Sequence, residues 1–499
     1  MNTSSDLHRS TRTDRDPNAP ESNIKFISVF FGWSTSRTNN KMKVCIVGGG
    51  VAGLQVADAL SATGHDCYLF EKQGVVGGVW RENYDGYALQ VPAELYQLPG
   101  FAPIGPDGTF VDGHTAQAYL ERFCRERRLH ERCHLHLSEV VQHLEQKDMG
   151  SWVVSTSEAA YAFDYCVICT GMYHVPYIPA ELSGFNPVHT SEFVDASIVS
   201  GCSVTVVGGG KSAIDCAIAA SRHAVHVRLV QRQLHWPVPR YILGVLPFKW
   251  CTYSRLGHAL LPMHWAISET ERVWHVFLQP FKYIVWRLME LFFCMQFDIA
   301  YDEYKNMQRI EVDLFNGGQI LTPDLGDARQ TARVTRIISP HAEDLIEHGD
   351  VVICGTGFTK DYGIFDANTR EALDVKADGL WLYKNMLPPR VPTLAFVGSE
   401  VSTFNNVLTC HLQSRWLAQH LSPTSPSTLP TNASMLAYVE CEQRWKRRWM
   451  HPSPSRAALL QLHMLKYHDI LMDDMGLPRV KHRWWQWVLP HHGRDFSVC

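Results

Sequence analysis

The chain has 499 residues, enough for about two to four ordinary domains. With 45% hydrophobic and 19% charged residues it has the composition of a globular protein. A formal charge of −4 gives no electrostatic case for nucleic acid or an anionic membrane surface. No uncharged apolar run reaches the ~18 residues that a membrane-crossing helix needs. The 14 cysteines come without a secretory signal and read as small buried hydrophobes in a reducing, cytoplasmic compartment.

Residues 1–40 are rich in Ser, Thr, Asn, Asp and Arg without sustained periodicity, and are expected to form a disordered extension. Val44 to Val47 then reads as a buried parallel strand running into Gly48-x-Gly50-x-x-Gly53 and a helical pattern. Gly48 permits the tight turn, Gly50 lets backbone approach a pyrophosphate, and Gly53 allows helix to pack on strand. Gly49, Val51 and Ala52 complete a turn whose N–H groups and macrodipole favour that anion. The next strand, Cys67 to Phe70, ends in Glu71, placed where an acid accepts hydrogen bonds from an adenosine ribose.

Gly77-Gly78-Val79-Trp80 and the stretch Tyr87 to Pro103 are loop-rich and aromatic, as expected of a segment folding over a flat cofactor ring. Residues 115–129 carry the periodicity of an amphipathic helix, with Ala118, Leu120, Phe123 and Cys124 among its spaced positions. Tyr165 to Ile168 is a buried strand ending at Cys169-Thr170-Gly171. Cys166 and Cys169 form a C-x-x-C, but residues three apart on a strand face opposite sides, which argues against a redox pair.

The opening pattern then repeats. Cys202 to Val207 is a strand, and Gly208-Gly209-Gly210-Lys211-Ser212-Ala213 is a glycine turn with alanine in the third place. Helix follows from Ile214, and Val225 to Val230 is the next strand. Where the first copy carries Glu71, this one has Gln231-Arg232. An acid holds a ribose 2′-hydroxyl and repels a 2′-phosphate, whereas an arginine does the opposite. The first site suits FAD and the second NADPH.

Residues 241–300 are aromatic and apolar, including Trp250, Trp265, Trp274, Phe277, Phe281, Trp286, Leu291, Phe292 and Phe293. They read as helices packed in the core or in a substrate domain. The alternative is an interfacial surface holding the protein peripherally on the endoplasmic reticulum membrane, which the cluster Arg483-Trp-Trp-Gln-Trp487 would reinforce. Asp350 to Phe358, with Gly357, mirrors the Cys169–Gly171 strand end, and Leu394 to Ser399 reads as a return to the first domain. The expected fold class is therefore α/β, with two Rossmann-like dinucleotide-binding domains. The NADPH domain, residues 181–340 including a helical insertion at 241–300, is inserted into a discontinuous FAD domain. That FAD domain takes residues 41–180 and then 341–499, the second part ending in a C-terminal helical tail.

Taken together, these motifs resemble the class B flavin-containing monooxygenases, particularly their plant-type branch. The matching residues are Gly48-x-Gly50-x-x-Gly53, Glu71, Gly77-Gly78-Val79-Trp80, Cys169-Thr170-Gly171 and Gly208-x-Gly210-x-Ser212-Ala213. Leu234-His-Trp-Pro-Val-Pro-Arg240 and Asp473-Asp-Met-Gly-Leu477 also match. The family fingerprint Phe-x-Gly-x-x-x-His-x-x-x-(Tyr/Phe)-(Lys/Arg) is altered here. His189 and Phe193 are kept, the spacing ahead of the histidine is shorter, and Val194 replaces the basic residue. Gln90 stands where animal-type members place an asparagine beside the flavin, and its amide keeps a donor and an acceptor. The resemblance implies that NADPH reduces the flavin and O₂ adds to give a C4a-peroxyflavin. That species would then oxygenate an amine nitrogen or thioether sulfur of a small molecule. It assigns Gln90 a catalytic role and His189 a linker role. The rivals are a Baeyer–Villiger oxygenase (which usually has Trp where Phe193 stands), a disulfide reductase, and a degenerate nucleotide-binding scaffold without activity.

Overall fold

The computed structural model describes residues 41–147, 150–242, 245–248, 253–313, 319–320, 333–400, 406–422, 429–460, 463–481 and 483–496. The expected N-terminal extension and Trp250 lie outside these residues.

In chain order, β1 (Lys43–Val47) passes through the first glycine turn into α1 (Val51–Ala62) and β2 (Asp66–Glu71). Next come α2 (Gly113–Glu126), β3 (His134–Leu137), β4 (Val141–Gln146), β5 (Trp152–Thr156), β6 (Ala160–Phe163) and β7 (Tyr165–Ile168). Short strands β8 (Val175–Pro176) and β9 (Val188–His189) lead to β10 (Ser203–Val207), α3 (Lys211–Ser221) and β11 (His226–Gln231). Three helices follow: α4 (Arg255–Ala259), α5 (Glu269–Phe277) and α6 (Gln279–Phe297). Then come β12 (Val334–Ile338), β13 (Val351–Cys354), β14 (Phe358–Thr359) and β15 (Leu394–Phe396). Helices α7 (Asn406–Leu421), α8 (Asn432–Trp449) and α9 (Met464–Asp474) close the described order.

Two five-stranded parallel sheets organise these elements, in the orders β15-β7-β1-β2-β3 and β12-β11-β10-β13-β9. Both central strands are buried on both faces because helices cover them: Val44, Cys45 and Ile46 are fully buried in β1, and in β10 Val206 is buried on one face and Thr205 on the other, its hydroxyl donating to Asp350 at 2.7 Å. In each sheet the chain leaves the central strand to one side and returns on the other. That creates a crevice at the carboxyl ends of the strands, where open α/β sheets bind ligands. The return of β15 to the first sheet makes the first unit discontinuous. The second sheet takes in β13 at Val351–Cys354, so the boundary expected at residue 340 falls ahead of a strand that belongs to the second unit. A four-residue apolar run completes either sheet equally well, and its pairing with β10, from Val204↔Val351 to Val207↔Cys354, assigns it.

The connections between the units lie side by side. β8 and β14 pair antiparallel, Pro176 opposite Phe358 and Val175 opposite Thr359. His189 is fully buried beside them, its Nε2 donating to Gly357 O at 2.9 Å while Nδ1 accepts from Ser191 N at 3.2 Å. Burial lowers its pKa, and its ring bonds tie β9 to the connection that carries Gly357.

Two expectations shift. The helix read over 115–129 runs Gly113–Glu126, because the Asp112 carboxylate caps Thr115 N at 2.7 Å and Arg128, at φ 53°, stops its far end. Its Ala118 faces solvent. The aromatic insertion is only half core: Trp286 and Phe293 are buried, but Trp274, Phe277, Phe281 and Leu291 are exposed. Trp484, Trp485 and Trp487 are also exposed. Among the described residues, no helix is long and apolar enough to cross a membrane.

Candidate functional site

The first glycine turn joins β1 to α1, which starts at Val51 with no side chain capping it. Uncapped N–H groups at a helix start are what an anion requires. Glu71, at the end of β2, is buried; its Oε2 accepts from Gly49 N at 2.7 Å and its Oε1 from Gln73 N at 2.9 Å. Each oxygen keeps a lone pair for a ribose hydroxyl. On the other side Cys169 N donates to Val47 O, which sets Thr170 and Gly171 (φ 70°) against the same turn. The Gly77–Trp80 segment closes over it: Gly77 N donates to Gly49 O at 2.9 Å. The residues expected at the FAD site thus converge on one turn.

Trp80 anchors an aromatic wall beside that turn. It stacks on Tyr87 and meets Tyr96 edge-on at 5.5 Å, and Tyr87 Oη donates to Trp80 O. Val79 is exposed next to it. Gln90 is half-buried on the strap between Tyr87 and Tyr96, where Leu89 N bonds Val111 O.

The second turn repeats the first with one steric exchange. A Cβ at Gly355 would meet the Ala213 Cβ at 2.4 Å, so glycine at 355 makes room for alanine in the third motif position. At the first turn the exchange is reversed, with Gly53 facing Cys169. α3 also begins without a side-chain cap, at Gly210, and Ser212 lies in its first turn. Lys211 is ion-paired with Asp215 one turn on, and Tyr84 of the first unit donates to Asp215 Oδ2 at 3.0 Å. Asp85 accepts from Ala196 N at 3.1 Å, so the loop between Trp80 and Tyr87 is tied to the second unit at two adjacent residues.

A cleft opens beside the second turn, lined by Gly209, Gln231, His235, Phe297, Met307 and Arg336 among others. Asp313 fixes its floor by accepting from Trp236 N and pairing with His235, each at 2.7 Å. That accounts for His235 and Trp236 within the Leu234–Arg240 pattern. Arg232 stands exposed one residue past Gln231, outside this lining, while Arg336 within it pairs with Glu303. Gly357, at φ 87°, lies at the connection between the units.

Sequence reasoning missed Glu400, which follows β15 in an irregular segment. It is fully enclosed, and burial raises its carboxyl to about 7. Lys360 lies close by, donating to Ser399 O at 2.6 Å, with its amine lowered by burial to about 8. A carboxyl held at about 7 rather than its usual value binds its proton more tightly folded than unfolded. Its contribution to stability is present below about pH 4.5 and is lost as pH rises through 7. Glu400→Gln is therefore expected to stabilise the protein by about 2–3 kcal/mol at pH 8, shrinking toward pH 5, as thermal unfolding would show. A variant less stable at both pH values would instead make Glu400 the ionised partner of Lys360.

Among the described residues, no group of three or more His, Cys, Asp or Glu side chains could hold a metal ion. The described cysteines are free thiols; Cys166 lies opposite Cys45 rather than paired to Cys169.

Comparison with known proteins agrees with this geometry. The family model described as flavin-binding monooxygenase-like matches residues 41–479. Human flavin-containing monooxygenase 3 is 25% identical over 465 residues, covering 87% of this chain and 82% of that one. The fold is shared with S-allyl-L-cysteine S-oxygenase from Allium sativum, at 18% identity and TM-score 0.58 over 89% of this chain and 90% of that one. It is also shared with a cyclohexanone monooxygenase mutant from Rhodococcus sp. Phi1 bound to NADP⁺, at 15% identity and TM-score 0.64 over 87% and 97%. The match of that family model over residues 41–479 places this chain in the flavin-binding monooxygenase-like family, as a class B flavin-dependent monooxygenase.

Proposed function

We propose that the protein uses FAD and NADPH to insert one oxygen atom from O₂ into a soft heteroatom, an amine nitrogen or thioether sulfur, of a small molecule. The observation that supports this most is the doubled glycine turn, one copy with Glu71 under an aromatic wall and the other with Arg232 and Arg336 near its adenosine cleft. FAD would rest on Gly48–Gly53, Glu71, Val79, Trp80, Thr170 and Gly171. NADPH would rest on Gly208–Ala213, Arg232 and Gly357. When bound, the flavin supplies hydride acceptance and oxygen activation, the chemistry that amino-acid side chains lack.

The chain's own residues do the rest. Trp80, Tyr87 and Tyr96 screen one side of the first crevice from water. Gln90 offers an amide donor from the adjoining strap. The start of α3 holds a pyrophosphate, and the Tyr84–Asp215 bond keeps the two units in register. Arg232→Ala should raise the KM for NADPH about tenfold while leaving that for NADH unchanged, the scale expected for one charged contact. An unchanged KM for NADPH would leave phosphate recognition to Arg336, and equal losses with both nucleotides would place Arg232 on a part the two share.

The reading is tested by supplying NADPH and ¹⁸O₂ with a thioether, a tertiary amine and a cyclic ketone. Labelled sulfoxide or N-oxide supports it. A labelled lactone as the main product would assign Baeyer–Villiger chemistry in spite of Phe193.

A further inference from the structure

A dinucleotide laid on the first turn has a direction. Glu71, at the end of β2, suits the adenosine ribose, and the start of α1 suits the pyrophosphate. In the sheet order β15-β7-β1-β2-β3, β2 lies on one side of β1. The flavin half therefore extends the other way, past Cys169–Gly171 to the carboxyl end of β15. Glu400 lies there, just beyond that strand. Its neighbours hold it close to the turn. Gly398, just ahead of it, is wedged between α1 and α7: a Cβ there would stand 2.7 Å from Ala52 Cβ and 3.0 Å from Cys410 Sγ. Glu400 is within electrostatic reach of Cys169 and Cys410, and Cys410 is within reach of Tyr96 in the aromatic wall.

The Glu400 side chain is buried, and its Oε2 has no hydrogen-bond partner among the described residues. The polar groups around it are engaged. Gln413 bonds the carboxyl, accepts from Gly398 N at 3.0 Å and donates to Tyr467 Oη at 2.9 Å. Tyr467 Oη donates to Lys384 O at 2.7 Å and Lys360 Nζ to Ser399 O at 2.6 Å. Lys446, also within electrostatic reach, pairs with Glu442 at 2.9 Å and donates to Ala457 O. The nearest side chains besides these, Cys169 and Cys410, are buried thiols, which accept hydrogen bonds only weakly. A carboxyl enclosed with no cation bonded to it keeps its proton. One oxygen is then an O–H donor in a dry site, where an unmade hydrogen bond is costly.

We propose that Glu400 binds the flavin, its Oε2 hydroxyl donating to the C2 carbonyl of the isoalloxazine ring. The assignment rests on the first turn being the FAD site. The ring joins its ribityl chain at N10, so N1 and the C2 carbonyl are the acceptors on the edge nearest the pyrophosphate. That edge is the one a residue held against α1 meets. Accepting hydride adds negative charge to the same edge, and a donor fixed beforehand stabilises charge where it develops. Glu400 thus favours the reduced flavin over the oxidised one. An ammonium group of a substrate would need the opposite, an ionised carboxylate.

The test uses the full chain loaded with FAD carrying ¹³C at C2, as parent, Glu400→Gln and Glu400→Leu. Gln keeps a donor, and Leu keeps only the approximate volume. In Glu400→Leu the labelled C2 carbonyl band should move to higher frequency in the infrared. The midpoint potential should fall by at least about 30 mV, a tenfold loss of preference for the reduced form. Glu400→Gln should show less than half of either change. In the parent, reduction by dithionite should shift a carboxylic-acid band that Glu400→Gln lacks. An unmoved C2 band in Glu400→Leu at full flavin content overturns the proposal, as does a parent without the acid band; a carboxylate band in its place would give Glu400 to a cation. Should Glu400→Leu fail to fold, the parent and Glu400→Gln spectra decide. A colourless parent would instead remove the FAD reading of the first turn, so the two failures are told apart by flavin content.

Discussion

Gly53→Ala is expected to purify colourless, with bound flavin below about a tenth of the parent, since the added methyl has no room to relax in a packed turn. Its Cβ would stand 1.8 Å from Gly48 O, a backbone atom in the turn itself. Gly48 has no slack to give, because a Cβ there would in turn meet Cys169 O at 2.7 Å. Relief requires α1 to lift off β1, which moves the uncapped helix start away from the pyrophosphate position. Flavin absorbance per chain measures the loss, and far-UV dichroism checks that the second unit stays folded. Glu71→Gln provides a milder companion: it keeps the volume and loses the charge that fixes Gly49 N and Gln73 N, so flavin should bind about tenfold more weakly. Full flavin content in both variants would contradict the assignment of the first turn.

Gly208→Ala is expected to separate the two sites. Its Cβ would lie 2.2 Å from Gly355 O, on a backbone at φ 143° that side chains rarely adopt. The damage is confined to the second turn, so flavin should remain bound and reducible by dithionite. Anaerobic reduction by NADPH should fall at least about 100-fold, equivalent to losing ~3 kcal/mol of transition-state binding. Unchanged NADPH reduction would move the hydride donor's site elsewhere; loss of flavin as well would mean the two turns do not fold independently.

The glycine turns were legible in sequence because their requirements are local. A strand, a tight turn and a helix start lie within about a dozen residues of one another, and Glu71 follows at the end of the next strand. Glu400 was not legible, because what makes it unusual is enclosure by Lys360, Cys169 and Gln413, far apart in the chain. Tyr84 and Asp215 were invisible for the same reason: a hydrogen bond across 131 positions leaves no periodic trace. The aromatic insertion shows a different limit. Its apolar spacing stands in the sequence, yet whether such a stripe meets the chain's own core depends on which face the surrounding elements cover. Here they cover Trp286 and Phe293 and leave Leu288 bare. Arg336 shows the same limit: it reaches the cleft from the neighbouring strand β12, which no count from the end of β11 finds, while Arg232 stands exposed beside that lining.

The central claim is that two nucleotide sites in one chain couple NADPH oxidation to transfer of an oxygen atom. The most direct measurement is the stoichiometry of NADPH consumed, oxygenated product formed and hydrogen peroxide released, with a thioether or tertiary amine present and absent. Close to one oxygenated product per NADPH, with little peroxide, is the expected result. NADPH consumption that yields peroxide alone with every heteroatom substrate would make the protein an NADPH oxidase and contradict the account.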